Sequence, residues 1–189
     1  AQDRVISVKT GQGEIPCGSV ILATGHSARD IYRLFQRRRF DVRPKPFSVG
    51  VRIEHLQSDI DRGLYGDMTG NPYLPKGEYA LSCHPNGVGV YTFCMCPGGE
   101  VVAAASEEGG VVVNGMSRYG RDGTNACSAV CVSVTDDDPM RFQRQLEERA
   151  YQLAGGNYRA PVQTVGDFLA GKSGTQPRRV LPTYMEGHG

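Results

Sequence analysis

Gly89-Val90-Tyr91-Thr92-Phe93-Cys94-Met95-Cys96-Pro97-Gly98-Gly99-Glu100-Val101-Val102-Ala103-Ala104-Ala105-Ser106-Glu107-Glu108-Gly109-Gly110-Val111-Val112-Val113-Asn114-Gly115-Met116-Ser117 decides the fold. It reads as three short apolar strands punctuated by glycines. Val90–Met95 is rich in β-branched and aromatic residues, the types that suit a pleated, half-buried surface. Pro97-Gly98-Gly99 cannot continue a strand and is hairpin material. Val101–Ala105 returns, Gly109-Gly110 turns again, and 111–113 starts a third run. The pattern predicts a tightly wound β-meander in an α+β fold: a mainly antiparallel, glycine-rich sheet with a few flanking helices. So many glycines in an apolar stretch also imply backbone held close to another strand or to a flat ligand.

Toward the C-terminus, 118–125 is a polar loop and Ser128–Val134 a further strand. The acidic run Asp136-Asp137-Asp138 precedes Pro139, which fits a first helical position. A helix is predicted over Pro139–Leu153 with Phe142, Leu146, Ala150 and Leu153 on its apolar face, stopped by Gly155-Gly156. Pro161–Ala170 reads as a second short helix. Toward the N-terminus, Glu78–Cys83 reads as a strand that turns at His84-Pro85-Asn86-Gly87. Residues 66–77 form a loop, Gln57–Leu64 a short helix, and Phe47–Glu54 a strand on which Arg52 and Glu54 share a face as a surface pair. Further back, Val5–Val8 and Glu14–Cys17 form a hairpin. Val20-Ile21-Leu22-Ala23 is a continuous apolar run of the kind buried on both faces in a parallel sheet. Ser27 is positioned to cap the helix carrying Ile31, Leu34 and Phe35.

The 189 residues carry a net charge of +1, which argues against a nucleic-acid or anionic-membrane binder. Arg37-Arg38-Arg39 reads as a solvated helix end. No apolar run reaches the roughly 18 residues of a membrane helix, and no secretory leader is evident. The chain does not start with Met, so a piece of a longer protein is expected. The six cysteines, Cys17, Cys83, Cys94, Cys96, Cys127 and Cys131, sit in apolar runs. Reduced thiols in a cytoplasmic protein, without metal, are the expectation. Cys94 and Cys96 fall on one side of a strand and would both pack in the core.

One resemblance reaches across nearly the whole chain. A hairpin feeding Val20-Ile21-Leu22-Ala23-Thr24-Gly25 resembles the Ala-Thr-Gly strand end of flavoproteins with two dinucleotide-binding domains. Ile21–Asp30, Lys45–His55, Tyr91–Ser117, Gly155-Gly156-Asn157-Tyr158 and Val165-Gly166-Asp167-Phe168-Leu169 resemble the bacterial family of uncharacterised FAD-dependent dehydrogenases. The resemblance implies FAD in the complete protein. It also implies a glycine-rich Gly-x-Gly-x-x-Gly loop for the pyrophosphate, which this sequence lacks, and a C-terminal flavin-closing segment beyond it. The chain is therefore expected to be an internal fragment, inactive and FAD-free alone. Residues 1–42 would be a small piece of the FAD-binding α/β domain, 43–180 the inserted substrate-side domain, and 181–189 a tail returning toward the flavin domain.

A flavin performs the redox chemistry itself, and the protein supplies orientation, electrostatics and a dry pocket. The resemblance places Thr24, Gly25 and His26 at the cofactor; read from the sequence alone, His26 is a helix N-terminal residue bonded to backbone. His26, His84, Cys94 and Cys96 are the catalytic candidates. Asn114, Ser117, Arg118 and Arg121 are candidates for a small-molecule substrate, the two arginines as a clamp for an acidic one. The partners expected are that substrate and the remainder of the flavoprotein chain. No Ser-His-Asp order or carboxylate pair supports a hydrolase. The alternative is a non-catalytic binding or scaffold module with a purely structural glycine-rich sheet.

Overall fold

The computed structural model describes residues 4–25 and 27–184. The chain divides into two compact units, Ala1–Val42 and Arg43–Gly189.

In the first unit, β1 (Ser7–Thr10) and β2 (Gly13–Pro16) form an antiparallel hairpin with Ser7 opposite Pro16. Thr10 closes its turn, donating through Oγ1 to the Gly13 carbonyl at 2.9 Å. Helix α1 (Arg29–Arg37) follows; its N-cap position is Ala28, one residue later than the predicted Ser27, and the Ser27 carbonyl accepts from the Arg29 amide at 2.8 Å. The run 20–23 is not a strand, and Ile21 is 92% exposed. A run buried on both faces needs partner strands beside it, and among the described residues none pairs with 20–23.

The second unit runs β3 (Phe47–Leu56), α2 (Gln57–Tyr65), β4 (Ser82–Cys83), β5 (Val90–Cys96), β6 (Gly99–Ala103), β7 (Val113–Ser117), β8 (Asn125–Val134), α3 (Pro139–Leu153) and α4 (Val165–Ala170). Four strands make an antiparallel sheet in the order β3-β8-β5-β4. The longest ladder joins β3 to β8, from Phe47 opposite Val134 to Leu56 opposite Asn125. β6 and β7 pair antiparallel in a second ladder, Gly99 opposite Ser117. The fold is thus α+β and dominated by antiparallel pairing.

The predicted hairpin at Pro97-Gly98-Gly99 does not form, because β5 and β6 belong to different ladders. Gly98 explains why. Its amide donates to Gln57 Oε1, its carbonyl accepts from the Gly123 amide at 3.2 Å, and its φ is +55°. A Cβ at Gly98 would lie 2.1 Å from the Arg121 carbonyl oxygen. The turn is held by the start of α2 and the loop before β8, so the chain leaves the sheet instead of folding back along β5.

A bulge at the end of β5 makes a second difference. Cys94 has φ +48° and the register with β8 shifts between Phe93 and Cys96, which breaks the alternation of faces. Cys94 is exposed while Cys96 is buried, so the two do not share a core-facing side. The predicted strand over Glu78–Cys83 shrinks to Ser82–Cys83. The amides of Tyr79 and Leu81 donate instead to side-chain atoms, Met95 Sδ at 2.9 Å and Thr92 Oγ1 at 2.8 Å.

Local signals survive in α3, which spans Pro139–Leu153, with Asp138 as N-cap accepting from the Arg141 amide at 3.1 Å. Phe142 meets Phe47 edge-on, with centroids 5.6 Å apart, but Leu146 and Leu153 are exposed, so the apolar face is only partly covered. The second helix starts later than predicted, at Val165, where Thr164 Oγ1 accepts from the Asp167 amide. The core is small: Cys96, Val101 and Cys127, with Val113 and Tyr184 packed against them. Among the described residues no helix is long and apolar enough to cross a membrane.

Candidate functional site

The sheet strands converge on Arg52. Strand alternation points this residue of β3 toward the bulged end of β5 and the hairpin β6–β7. Its Nη2 donates to the Cys94 carbonyl at 2.7 Å and lies 3.7 Å from Cys96 Sγ. Nη1 donates to Asn114 Oδ1 at 3.3 Å, while Nε is buried without a partner. Gly115 makes room for this cation. A Cβ there would stand 2.2 Å from Arg52 Nη2 and 2.8 Å from Cys127 Sγ. Arg52 and Glu54 are not the surface pair their spacing suggests. Glu54 instead ties down the C-terminal segment: its Oε1 accepts from the Thr183 amide at 3.0 Å and from the Thr183 hydroxyl. The same hydroxyl oxygen accepts from the Val101 amide at 2.8 Å.

Two thiols face each other beside the cation. Cys96 stands opposite Cys127 across β5 and β8. Burial pushes the Cys127 thiol up to about 11, against the opposing pull of Arg52. Burial also raises Cys131.

A second polar pair adjoins them. His55 Nε2 and the Tyr79 hydroxyl are 2.6 Å apart, and His55 Nδ1 is buried without a partner. Burial lowers the His55 pKa despite the nearby carboxylates of Asp59 and Glu54. Burial likewise raises that of Tyr79, with Ser128 acting in the other direction through a hydrogen bond. Tyr79 also lines an open groove of about 410 Å³, with Glu78, Ala80, Thr92, Phe93, Cys94 and Met95. The groove exists because the ladder beside β5 is opened by the Cys94 bulge and the side-chain bonds to residues 79 and 81.

Among the predicted residues, Cys94, Cys96 and Asn114 meet at Arg52. Ser117 donates to the Pro97 carbonyl at 2.8 Å and holds the turn. Arg118 pairs with Glu100 at 3.7 Å and Arg121 with Glu78 at 3.4 Å, each pair exposed and so weakly held. His84 is exposed at the start of its turn. Thr24 and Gly25 are exposed in the first unit, Gly25 with φ +82°. His26 lies outside the described residues. Sequence reasoning missed Tyr79 and the central place of Arg52. The available signal for Arg52 was a cation set among apolar residues of a strand.

The family described as FAD-dependent protein, C-terminal domain-like, matches residues 46–188. An uncharacterized protein of Clostridium beijerinckii is 45% identical over 192 residues, covering 96% of this chain and 36% of the relative. The chain therefore spans little more than a third of that relative's length. The described residues do not by themselves fit a whole FAD. A pyrophosphate cradle needs successive glycine amides at a helix N-terminus, whereas α1 is entered through a single glycine, Gly25, with Ala28 as its cap. A Cβ at Gly25 would meet nothing within 4 Å, so the backbone there stands in open space rather than in a cradle.

Proposed function

This chain belongs to the FAD-dependent protein, C-terminal domain-like family, and from that premise we propose that it forms the substrate-side part of an FAD-dependent oxidoreductase of dehydrogenase type. The observation that carries the reading is the family match over 46–188 in a chain that spans 36% of its relative. The remaining length of such a relative has room for the dinucleotide-holding elements absent from the residues described above. In this reading the flavin supplies hydride chemistry when bound, and this chain's residues position substrate and exclude water.

Thr24, Gly25 and His26 are the cofactor-facing candidates. The exposed apolar side chains of Val20, Ile21 and Leu22 suit pairing with further strands of a flavin domain. For the substrate, Arg118 and Arg121 sit in exposed pairs that an acidic small molecule can replace at little cost. Asn114 and Ser117 serve the site indirectly, through Arg52 and the turn at Pro97. Free thiols at all six cysteines suit a cytoplasmic setting.

The test uses the full-length Clostridium beijerinckii relative. Purified in air, it should carry FAD identifiable after denaturation, and anaerobic addition of reduced nicotinamide or of a substrate should bleach the flavin band. A folded full-length relative that neither retains nor takes up FAD overturns the reading.

A further inference from the structure

Cys96 and Cys127 are directly opposed on neighbouring antiparallel strands. Opposed Cα atoms in such a ladder lie roughly 4.5–5.5 Å apart, inside the approximate 4.4–6.8 Å span of disulfides. Each thiol donates to a backbone carbonyl, Cys96 to that of Cys94 at 3.4 Å and Cys127 to that of Glu100 at 3.6 Å, and neither sulfur is held in a covalent bond. No other cysteine has this relation in the ladders: Cys83 faces Val90, and Cys131 faces Tyr91 and Gly50. Cys94 is turned away by the bulge. The surroundings also differ from those of inert core thiols, since a guanidinium with an unpartnered, buried Nε stands 3.7 Å from Cys96 Sγ through its Nη2 and borders, with Cys127 Sγ, the space that a Cβ on Gly115 would fill.

We propose that Cys96 and Cys127 are a dithiol–disulfide couple that exchanges with small-molecule disulfides and closes a cross-strand bridge beside Arg52. Cys96 reacts first, because it keeps 7% exposure where Cys127 has 0% and because Arg52 Nη2 stands 3.7 Å from its sulfur. The Cys96 thiolate attacks the external disulfide, breaks its S–S bond and releases one small thiolate. Cys127 then gives up its proton to a departing thiolate. Its thiolate attacks the Cys96 sulfur, breaks the mixed disulfide and expels the second small thiolate, which takes up the proton that Cys96 released to solvent on ionising. Two protein thiols and one small disulfide thus become one protein disulfide and two small thiols, with two electrons passing to the small molecule. Burial makes local opening of the β5 bulge the slow step. The couple depends on no flavin.

The experiment treats the native 189-residue chain with oxidised glutathione and counts thiols after quenching and denaturation. The count should fall by at least two from six, and a non-reducing tryptic digest should join segment 77–118 to segment 122–141. A variant with Cys17, Cys83, Cys94 and Cys131 all changed to Ala should lose both remaining thiols without gaining glutathione mass, reversibly with dithiothreitol. Cys127→Ser should stop at a mixed disulfide on Cys96. The proposal is overturned if Cys96 and Cys127 both stay titratable in the native wild-type chain. It is equally overturned if the bridge maps to Cys94–Cys96, or if glutathione adds to both sulfurs separately.

Discussion

The backbone amide of Gly98 donates to Oε1 of Gln57 across 2.8 Å, and this bond joins the turn after β5 to the first residue of α2. Gln57 is 2% exposed, and its Nε2 donates to the Gly77 carbonyl at 2.9 Å and to Asp61 Oδ1 at 2.7 Å. One side chain therefore ties α2 to two segments distant in sequence.

Removing that side chain leaves the Gly98 amide and the Gly77 carbonyl without their partner in a buried place. Gln57→Ala should cost about 3 kcal/mol of stability, read as a lower urea midpoint. A loss below about 1 kcal/mol would mean that water replaces the amide and that the turn does not depend on it.

Gly115 is required for space, not for backbone freedom. Gly115→Ala drives a methyl into the Arg52 guanidinium and the Cys127 sulfur and should destabilise the chain by about 1–3 kcal/mol. Gly166→Ala, in α4 where a Cβ meets nothing within 4 Å, should be neutral or slightly stabilising. Equal unfolding midpoints for the two variants would contradict the packing at Arg52.

His55 gives stability a dependence on acid. Burial holds its folded pKa below the ordinary 6.5, so the unfolded chain binds the proton first as pH falls. The contribution is fully present above 6.5 and is lost as pH falls through the folded value. Between about pH 7.5 and about pH 5, His55→Gln, which cannot titrate, should lose less stability than the wild-type chain. Cys127 acts at the other end. Its thiol is raised from 9.0 to about 11, so its contribution is full below pH 9.0 and disappears as pH rises through about 11. Cys127→Ala should remove that alkaline loss. Parallel pH profiles for a variant and the wild-type chain would contradict the assignment for that residue.

What was legible in the sequence was local. Asp138 and Pro139 announce α3 to the residue because cap and first turn are neighbours in the chain. Asn86 and Gly87, with φ +52° and +80°, announce their turn for the same reason. The antiparallel, α+β character follows from strand-sized runs. The fate of Pro97-Gly98-Gly99 was not legible, because its direction is set by Gln57 and by the 121–123 backbone, which local pattern cannot place beside it. The opposite exposure of Cys94 and Cys96 was hidden by a bulge, and a period-two reading assumes none. Asn114 was visible as a polar residue near glycine, but it lies on β7, and its partner Arg52 lies on β3 in a different ladder, so only the packing of the two ladders brings them together. Tyr79 escaped because its segment pairs through side chains and lacks a full strand ladder.

The proposal that this chain is the substrate-side part of a flavoprotein whose FAD is held by the rest of the protein is tested most directly by adding FAD to the isolated chain and to the full-length Clostridium beijerinckii relative, then passing each through gel filtration. Binding must overcome about 4 kcal/mol or more of lost translational and rotational freedom. The exposed backbone at Thr24 and Gly25 lacks the successive glycine amides of a pyrophosphate cradle that would offset it. The isolated chain should elute colourless and the relative yellow, with flavin absorbance in step with protein. Stoichiometric flavin co-eluting with the isolated chain, or a colourless relative, would contradict the account.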